Sequence, residues 1–451
     1  MRPLLLLLTL AGSALAAPPA AIPPVRFTDT KLENGLRVLI AEDRHAPIFG
    51  IAVSYAVGSK DERAGRTGFA HLFEHMMFKG SQNVGAGEHF FLIYNNGGSM
   101  NGTTNTDRTL YFEVLPKNQL DLALFLEADR MRSLEVTKEN LENQRQAVKE
   151  ERRLRMDNQP YGRSNERITE LAYDNFAYKH SVIGSMEDLD AASVEDVHDF
   201  FRTYYAPNNA VLALVGDLDT KTTLEKVKKF FGDIPRQEAP QKVDLSEKPQ
   251  EAERRERIED RLARLSRIDM VYRISPGNHA DTSALQLGAA ILSSGDSSRL
   301  YQKLVREKQV AAQVFGFVDE RMGPGLYRLI AIVRPGKTVE EVESHISEEI
   351  ARMHAEPVTE NELERARSMI RRSAAGSRAS SLGRAIRLAD DAVLYNDPGR
   401  LNRLYAERMA VTAPQIQAAV KTHWKQANRT VIVTVPAAAA TKSGAKSGGK
   451  Q

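Results

Sequence analysis

The sequence contains no cysteine among its 451 residues. Disulfide bonds are therefore excluded, although the N-terminal sequence described below predicts export to a compartment that normally permits them. Any metal site must use His, Asp or Glu side chains, because thiolate ligands are absent. We expect stability to come from a buried core, which a chain of this length is able to form.

The chain also lacks a large excess of charge of either sign. It has 62 Lys and Arg against 59 Asp and Glu, so its formal net charge is +3. This balance argues against a nucleic-acid partner bound through phosphate neutralisation. After the N-terminus, no apolar run approaches the roughly 20 residues that a membrane-spanning helix needs. We therefore expect no membrane span.

The N-terminal residues have the features of a secretory signal peptide. A short basic start precedes an apolar run from Leu4 to Leu10, and Ala14-Leu15-Ala16 fits a small-x-small cleavage site. We predict that residues 1–17 are a signal peptide and exclude them from the fold. This prediction places the protein in the periplasm, with full secretion as the alternative.

The most informative stretch is Gly68–Gly80, which contains the pattern His71-x-x-Glu74-His75. Side chains four residues apart on a helix project from one face, so both imidazoles are able to bind one metal ion. Glu74 flanks the same face, where it can take a proton from a water molecule beside the metal. The neighbouring residues are apolar, which predicts a buried helix on which these polar groups need partners. A single buried histidine is usually a satisfied core residue, whereas this pair with its acid favours a metal site.

A predicted helix from Thr137 to about Asp157 offers an acid as third ligand. Thr137 is a suitable N-cap. Its apolar stripe comprises Leu141, Ala147, Val148 and Leu154, and Glu151 falls within that stripe. An acid on a buried face is unfavourable unless it is paired or binds a metal, although nearby arginines offer a salt bridge as the alternative. Glu88, Glu113 and Glu127 remain alternative ligands on pattern alone.

The segment from Asn96 to Asn105 is rich in Gly, Asn and Thr, and it precedes a clear strand at Thr109–Leu115. Such residues suit a strand edge that another backbone approaches closely. A substrate peptide could add there as an extra strand. A flexible surface turn is the alternative.

The second half of the chain repeats the first. Residues 197–212 align without gaps on residues 416–431, with matching apolar positions and the same helix-to-strand order. This predicts two tandem domains of like fold, of which only the first carries the His-x-x-Glu-His pattern. The predicted division is a first domain at 25–235, an exposed linker at 236–255, a second domain at 256–436 and a disordered tail at 437–451.

Together these motifs resemble the pitrilysin–insulinase family of zinc peptidases, the inverzincins, in their short two-domain type. That type includes the mitochondrial processing peptidase and its bacterial relatives. The match covers nearly all of the chain after residue 17. Its most specific parts are Gly68–Gly80 and Gln144–Arg153, and the Gly-rich stretch Asn96–Thr103 matches the family's peptide-holding strand.

The resemblance implies an α+β fold of two similar domains, each a mainly antiparallel sheet with helices on one face, which together enclose a cavity. It implies one zinc ion per chain held by His71, His75 and Glu151. It also implies a metalloendopeptidase of short or unfolded peptides, with Glu74 as general base. Extended substrate would then lie along Asn101, Gly102 and Thr103.

Two positions depart from the family pattern. Gln144 stands where many members have a second acid, which is not a ligand. In the second domain the family's Arg is present as Arg306, but its Tyr, seven residues later, is Gln313. The resemblance thus implies that Arg306 binds substrate, but without the tyrosine that accompanies it in the family.

Some family members have only part of this set of residues. In these members a metal-bearing subunit forms a dimer with a metal-free homologous subunit. The resemblance therefore implies a heterodimer, with a homodimer as the alternative. The rival functions are a catalytically inactive scaffold or assembly subunit of the same fold and, less favoured, a zinc-storing or zinc-sensing protein.

Overall fold

The computed structural model describes residues 22–437. The strands are β1 (Thr28–Lys31), β2 (Arg37–Glu42), β3 (Ile48–Tyr55), β4 (Ser99–Thr104), β5 (Thr109–Pro116), β6 (Ala210–Gly216), β7 (Arg254–Asp260), β8 (Arg267–Pro276), β9 (Ala311–Asp319), β10 (Pro324–Val333) and β11 (Arg429–Pro436). The helices are α1 (Phe69–Met76), α2 (Glu88–Asn95), α3 (Leu120–Arg132), α4 (Lys138–Arg152), α5 (Gly162–Ala172), α6 (Phe176–Lys179), α7 (Met186–Asp190), α8 (Val194–Tyr204), α9 (Thr220–Phe231), α10 (Thr282–Ser293), α11 (Val339–Ala355), α12 (Glu360–Ala379), α13 (Ser381–Tyr395), α14 (Arg400–Ala410) and α15 (Ala413–His423).

The first half of the chain forms a six-stranded sheet in the order β1-β2-β6-β3-β5-β4. All neighbouring strands are antiparallel except β2 and β6. Strand β4 lies at one end and, within residues 22–437, pairs only with β5, so no described strand occupies its other edge. This edge belongs to the Gly/Asn/Thr-rich segment, which is therefore a strand and not a surface turn.

The second half forms a five-stranded sheet in the order β7-β11-β8-β10-β9. Its strand β11 pairs parallel with β7 and antiparallel with β8, as β6 pairs with β2 and β3 in the first sheet. The aligned segments 197–212 and 416–431 both run from a helix through a 3₁₀ turn into this central strand. The prediction of two tandem α+β units with mainly antiparallel sheets is confirmed.

Each sheet packs one face against helices of its own half. Val53, Tyr111 and Leu115 of the first sheet contact Phe73 and Leu124 in one core. The other face is covered in part by a helix from the opposite half. Helix α13 packs on β3 and β6, and α5 packs on β8 and β11. The sequence did not predict that a helix of each half packs on the sheet of the other half. This packing links the two halves.

The predicted division into domains stays a prediction, as do its boundaries. Residues 237–252 contain no helix or strand. They are not wholly exposed, because Glu247 forms a buried ion pair with Arg273 at 2.7 Å and Leu245 packs against the core beside α5. The predicted signal peptide at 1–17 and residues 438–451 of the predicted tail lie outside the described residues. Within residues 22–437, no helix is long and apolar enough to cross a membrane.

Candidate metal centre

Helix α1 carries the His-x-x-Glu-His pattern, and its N-terminus is fixed by a carboxylate from the preceding loop. Glu62 is buried and accepts hydrogen bonds from the backbone N–H groups of Gly68 (2.9 Å) and Ala70 (2.8 Å). His180 contacts the same carboxylate through Nε2 at 2.9 Å. An acid at this end of a helix satisfies N–H groups that would otherwise lack partners.

Gly68 precedes α1 in a left-handed conformation, with φ of 85°. A Cβ there would lie 2.6 Å from the carbonyl oxygen of Ile183. Only glycine meets both conditions without strain. The tight approach of the 183–184 segment therefore sets where α1 begins and how its histidines are aimed.

Helix α4 packs against α1 and supplies the third polar group. As predicted, Thr137 caps it and accepts a hydrogen bond from the N–H of Asn140. Its buried face is formed by Leu141, Gln144 and Val148, and Glu151 continues this row by one further step.

The predicted apolar stripe of α4 was wrong at two positions. Ala147 is exposed, and so is Leu154, at 57% of its surface. The reason at Leu154 is that the α-helix ends at Arg152 and continues as a π-helical turn at Arg153–Asp157, which changes the angle between successive side chains. The α-helical spacing used in the prediction does not apply after Arg152.

The structure brings His71, His75 and Glu151 together. Glu151 Oε2 lies 3.6 Å from His71 Nε2 and 3.3 Å from His75 Nε2. Two ligands at about 2.0–2.1 Å from a tetrahedral zinc ion lie about 3.3 Å apart. One ligand atom from each residue falls within 4.8 Å of the others. The two imidazoles and one carboxylate therefore fit zinc in donor type and in spacing.

The electrostatics of this group favour the forms that bind a metal. Burial, with a smaller effect of neighbouring His75, lowers the pKa of His71 to about 4, which keeps its imidazole neutral. The contact with His75 lowers the pKa of Glu151 and keeps its carboxylate charged. Arg155 pairs with the other oxygen of Glu151 at 2.8 Å. His71 Nδ1 is buried and has no hydrogen-bond partner among the described residues.

Glu74 lies against the edge strand. Its Oε2 accepts a hydrogen bond of 2.6 Å from the hydroxyl of Thr104, and a Cβ at Gly102 would lie 3.0 Å from its Oε1. Burial raises the pKa of Glu74, while the Thr104 hydrogen bond lowers it. Because Gly102 has no side chain, the Glu74 carboxylate is able to occupy this space. No sequence pattern singled out Thr104, although it lies within the Gly/Asn/Thr-rich segment.

The other predicted substrate-binding residues lie along the same strand. Asn101 and Thr103 are exposed on β4, on the sheet face opposite Gly102. The Asn101 side chain accepts a hydrogen bond from the N–H of Gly102 at 2.9 Å. Thr103 accepts two hydrogen bonds from Arg108 Nη1, each at 2.9 Å. Three of the four predicted residues therefore share one free sheet edge beside Glu74.

A cavity of about 350 Å³ adjoins the candidate metal centre. The first half contributes His71, Thr104 and Glu151 to its wall, and the second half contributes Arg321 and Arg328. The fourth predicted substrate-binding residue, Arg306, is exposed on a π-helical turn and is not among the residues that line this cavity. Its role, like that of Gln313, stays a prediction.

A second group of possible ligands lies within the first core. His89, Glu113 and Glu127 each offer an atom within 4.8 Å of the others, and all three are buried. His89 Nε2 contacts Glu113 Oε1 at 2.7 Å, and Arg130 forms a buried ion pair with Glu127. The guanidinium already supplies the positive charge that a metal would bring. The structure thus places Glu113 and Glu127 in a separate network, and Glu88 caps its own loop by accepting from the N–H of Gly85.

Family models match most of the described chain. Residues 37–185 match the family described as insulinase (peptidase family M16), and residues 191–370 match the one described as peptidase M16 inactive domain. The chain is 30% identical over 337 residues to zinc protease PqqE of Helicobacter pylori, which covers 74% of this chain and 76% of that protein. This chain belongs to peptidase family M16.

Other M16 relatives and structures agree with this assignment. A crystal structure of a protease from Helicobacter pylori superposes with a TM-score of 0.88 at 27% identity, covering 92% of this chain and all of that one. A probable mitochondrial-processing peptidase subunit beta of Schizosaccharomyces pombe is 22% identical over 76% of this chain and 77% of that protein. The first of the relatives are named zinc proteases, so the predicted family is confirmed and zinc is the metal named for it.

Proposed function

We propose that this chain is a zinc-dependent endopeptidase that hydrolyses short or unfolded peptides. The observation that carries the proposal is the convergence of His71, His75 and Glu151 beside Glu74, which itself packs on the free edge strand at Gly102. A metal-ligand set, an acid and a peptide-binding edge are thereby combined within one site.

Each residue has a distinct role in this proposal. Bound by His71, His75 and Glu151, zinc would act as a Lewis acid on a water molecule and on the substrate carbonyl. Glu74 accepts the proton of the attacking water and passes it to the leaving amine nitrogen. The Thr104 hydroxyl orients the Glu74 carboxylate for both transfers through its 2.6 Å hydrogen bond.

The substrate would add to β4 as an extended strand. The unpaired edge of β4 supplies backbone hydrogen bonds that do not depend on substrate sequence. Because the metal centre adjoins a cavity of about 350 Å³ between the two halves, we expect an extended chain to enter it more readily than a folded protein. This favours short or unfolded peptides over folded proteins.

We further propose a heterodimer in the periplasm. Gln313 replaces the tyrosine of the family pattern, and Arg306 does not line the cavity. A metal-free homologous subunit would supply the missing groups, with a homodimer as the alternative arrangement. Losing one donor to the substrate oxygen commonly lowers the rate by about a hundredfold or more.

The general-base role is tested with Glu74→Gln. This variant should retain one zinc ion per chain and lose peptide cleavage, because the amide accepts no proton. Glu150→Gln is the matched control, since Glu150 is exposed on α4 and pairs only with Arg153. Cleavage by Glu74→Gln at the wild-type rate would show the mechanism to be wrong.

The partner is tested by measuring cleavage and zinc content for the chain alone and mixed with a metal-free homologue from the same organism. Activity only in the mixture supports the heterodimer. Activity of the chain alone shows that the missing tyrosine is dispensable. Absence of both zinc and cleavage in every sample would favour the inactive scaffold subunit.

A further inference from the structure

One arginine in the wall of the cavity has no charged partner. Arg328 lies on β10 and lines the cavity together with His71 and Glu151. Its Nε is buried without a hydrogen-bond partner, and no carboxylate of the described residues forms an ion pair with it. Its guanidinium lies 5.9 Å from the ring centroid of Phe317, the residue opposite it on β9.

Buried arginines elsewhere in the described chain hold a carboxylate. Arg267, Arg273 and Arg299 each do so at 2.7 Å. A partly buried guanidinium without a counter-ion is unfavourable, and burial correspondingly lowers the pKa of Arg328. The cavity therefore presents a positive charge that no group of the described residues neutralises by direct contact.

The acids around Arg328 on its own sheet are already paired. Asp269 on β8 binds Arg267 at 2.7 Å, and Asp319 on β9 binds Arg321 at 2.9 Å. The Arg321 guanidinium also lies 4.9 Å and 5.0 Å from the ring centroids of Tyr173 and Tyr178. Neither carboxylate forms a hydrogen bond or an ion pair with Arg328, and their charges raise its pKa only through space.

The acids across the cavity are also engaged. Glu151 pairs with Arg155 at 2.8 Å and faces the two histidines, and Glu166 binds Arg152 at 2.7 Å. Within residues 22–437 no carboxylate forms an ion pair with Arg328, so its guanidinium is available to a carboxylate of a molecule that enters the cavity.

The position of β10 relative to the metal centre is fixed by a link between the halves. Asp107, in the turn between β4 and β5, accepts hydrogen bonds from the Tyr178 hydroxyl (2.8 Å) and the Met322 N–H (2.9 Å). The N–H of Gly323 donates to the same hydroxyl at 2.8 Å. These contacts join the end of the peptide-binding edge to the start of β10, so Arg328 faces the substrate path from a rigid element.

We propose that Arg328 forms a carboxylate-binding subsite of this cavity, which selects peptides that carry an acidic side chain or a free C-terminal carboxylate close to the bond that is cleaved. The planar guanidinium donates two parallel hydrogen bonds to a carboxylate, which suits it to this role better than a lysine. The inference rests on the proposed peptidase function.

The hydrolysis test compares peptides that carry one Glu at successive positions with the same peptides carrying Gln. The wild-type chain loaded with zinc should prefer Glu at one position by about tenfold or more in kcat/KM. Arg328→Gln should lose this preference and still cleave the Gln peptides. Arg257→Gln, an exposed arginine on β7 of the same sheet, should keep the preference.

The source of the carboxylate is distinguished by amidating the C-terminus. Loss of preference on amidation, with no effect of internal Glu, assigns the subsite to a C-terminal carboxylate. Loss of the preference when the internal Glu is exchanged for Gln assigns the subsite to an acidic side chain. Either result supports the subsite, provided that Arg328→Gln abolishes it.

A binding measurement separates this inference from the proposed function. Fluorescence anisotropy of labelled Glu and Gln peptides is measured with the Glu74→Gln variant, with and without Arg328→Gln. Tighter binding of the Glu peptide, about tenfold and dependent on Arg328, supports the subsite even if no peptide is cleaved. Equal affinity for both peptides, or a preference that survives Arg328→Gln, would overturn it.

Discussion

At the scale of residues, the decisive feature is which acid completes the histidine pair. Pattern alone left Glu88, Glu113 and Glu127 as alternatives to Glu151. The structure places Glu151 Oε2 at 3.3 Å from His75 Nε2, and none of the other three reaches the histidines as a member of their group. Helical spacing had favoured Glu151, and α4 is regular up to Arg152, so the spacing applies at this position.

Replacing this acid should weaken metal binding specifically. We expect Glu151→Gln to lower zinc affinity by at least about tenfold, because an anionic ligand is exchanged for a neutral one. Glu150→Gln, one residue earlier and exposed, should bind zinc as the wild type does. Competition with a zinc-binding dye measures both variants. Equal affinity for Glu151→Gln and wild type would remove Glu151 from the ligand set.

Gly102 should be required for the position of Glu74. An alanine Cβ would lie 3.0 Å from Glu74 Oε1 and 3.1 Å from its Cγ, so the carboxylate must move. A displacement of this kind lowers the rate by about 10- to 100-fold, while zinc content should be unchanged. Gly376→Ala is the control, because nothing lies within 4 Å of its added Cβ. Peptide cleavage by Gly102→Ala at the wild-type rate would contradict the proposed packing.

The sequence did not indicate the residues that act through tertiary contacts. Glu62 caps α1 from a loop, and Arg328 approaches the site from the other half of the chain. Neither position belongs to a local pattern. Their importance depends on contacts between segments distant in sequence, which periodicity and spacing do not report.

At the scale of elements, α2, β5 and α3 place a network of ionisable side chains inside the first core. Its members are His89, Glu113, Glu127 and Arg130. Burial raises the pKa of Glu113 to about 7 and lowers that of His89 to about 3. Burial raises the pKa of Glu127 to about 7 as well, although Arg130 pairs with it and lies over the Tyr111 ring at 4.5 Å. Glu113 therefore holds a proton in the folded protein at mildly acidic pH.

This raised pKa predicts a pH-dependent stability. Between the ordinary Glu value of 4.5 and about 7, folded Glu113 is protonated and unfolded Glu113 is not, so stability falls as pH rises through this window. The loss should total about 3 kcal/mol. Glu113→Gln should remove the contribution of Glu113 to this slope and keep the contact with His89, while Glu127, whose pKa is also raised to about 7, still contributes.

Urea unfolding of metal-free protein at pH 5 and pH 7.5 measures this difference. Subtracting the Glu113→Gln curve from the wild-type curve cancels the titration of the other groups. Glu150→Gln should retain the wild-type slope. A wild-type stability that is equal at both pH values, or equally dependent on pH in Glu113→Gln, would contradict a buried protonated acid.

The elements themselves were predictable where one period holds along the whole segment. Strand β5 was predicted at 109–115 and lies at Thr109–Pro116. The prediction failed at Ala147 and Leu154. The π-helical turn after Arg152 packs against α5, and sequence periodicity does not report such a tertiary contact.

At the scale of the whole molecule, the two halves share a fold and one cavity. The repeat of residues 197–212 at 416–431 predicted that the two halves have similar folds. Both segments do enter a central strand of their sheet. The repeat did not predict that α5 and α13 each cover the sheet of the opposite half. Those helices have no counterpart in the aligned segments, so their placement could not be inferred.

The contact at Asp107 should be important for holding the halves together. Asp107→Ala leaves the Tyr178 hydroxyl and the Met322 N–H without their acceptor in a buried place. We expect the free energy of unfolding to fall by about 2–3 kcal/mol, and peptide cleavage to fall with it. Asp199→Ala, which removes an exposed acid, should change neither quantity. Unfolding in urea at the wild-type midpoint would show that this link is dispensable.

The central claim is that His71, His75 and Glu151 bind zinc in the cavity between the halves. X-ray diffraction from crystals of the zinc-loaded chain, collected above and below the zinc absorption edge, tests it most directly. The account predicts one anomalous difference peak within bonding distance of all three residues. No peak there, or a peak among His89, Glu113 and Glu127, would contradict it.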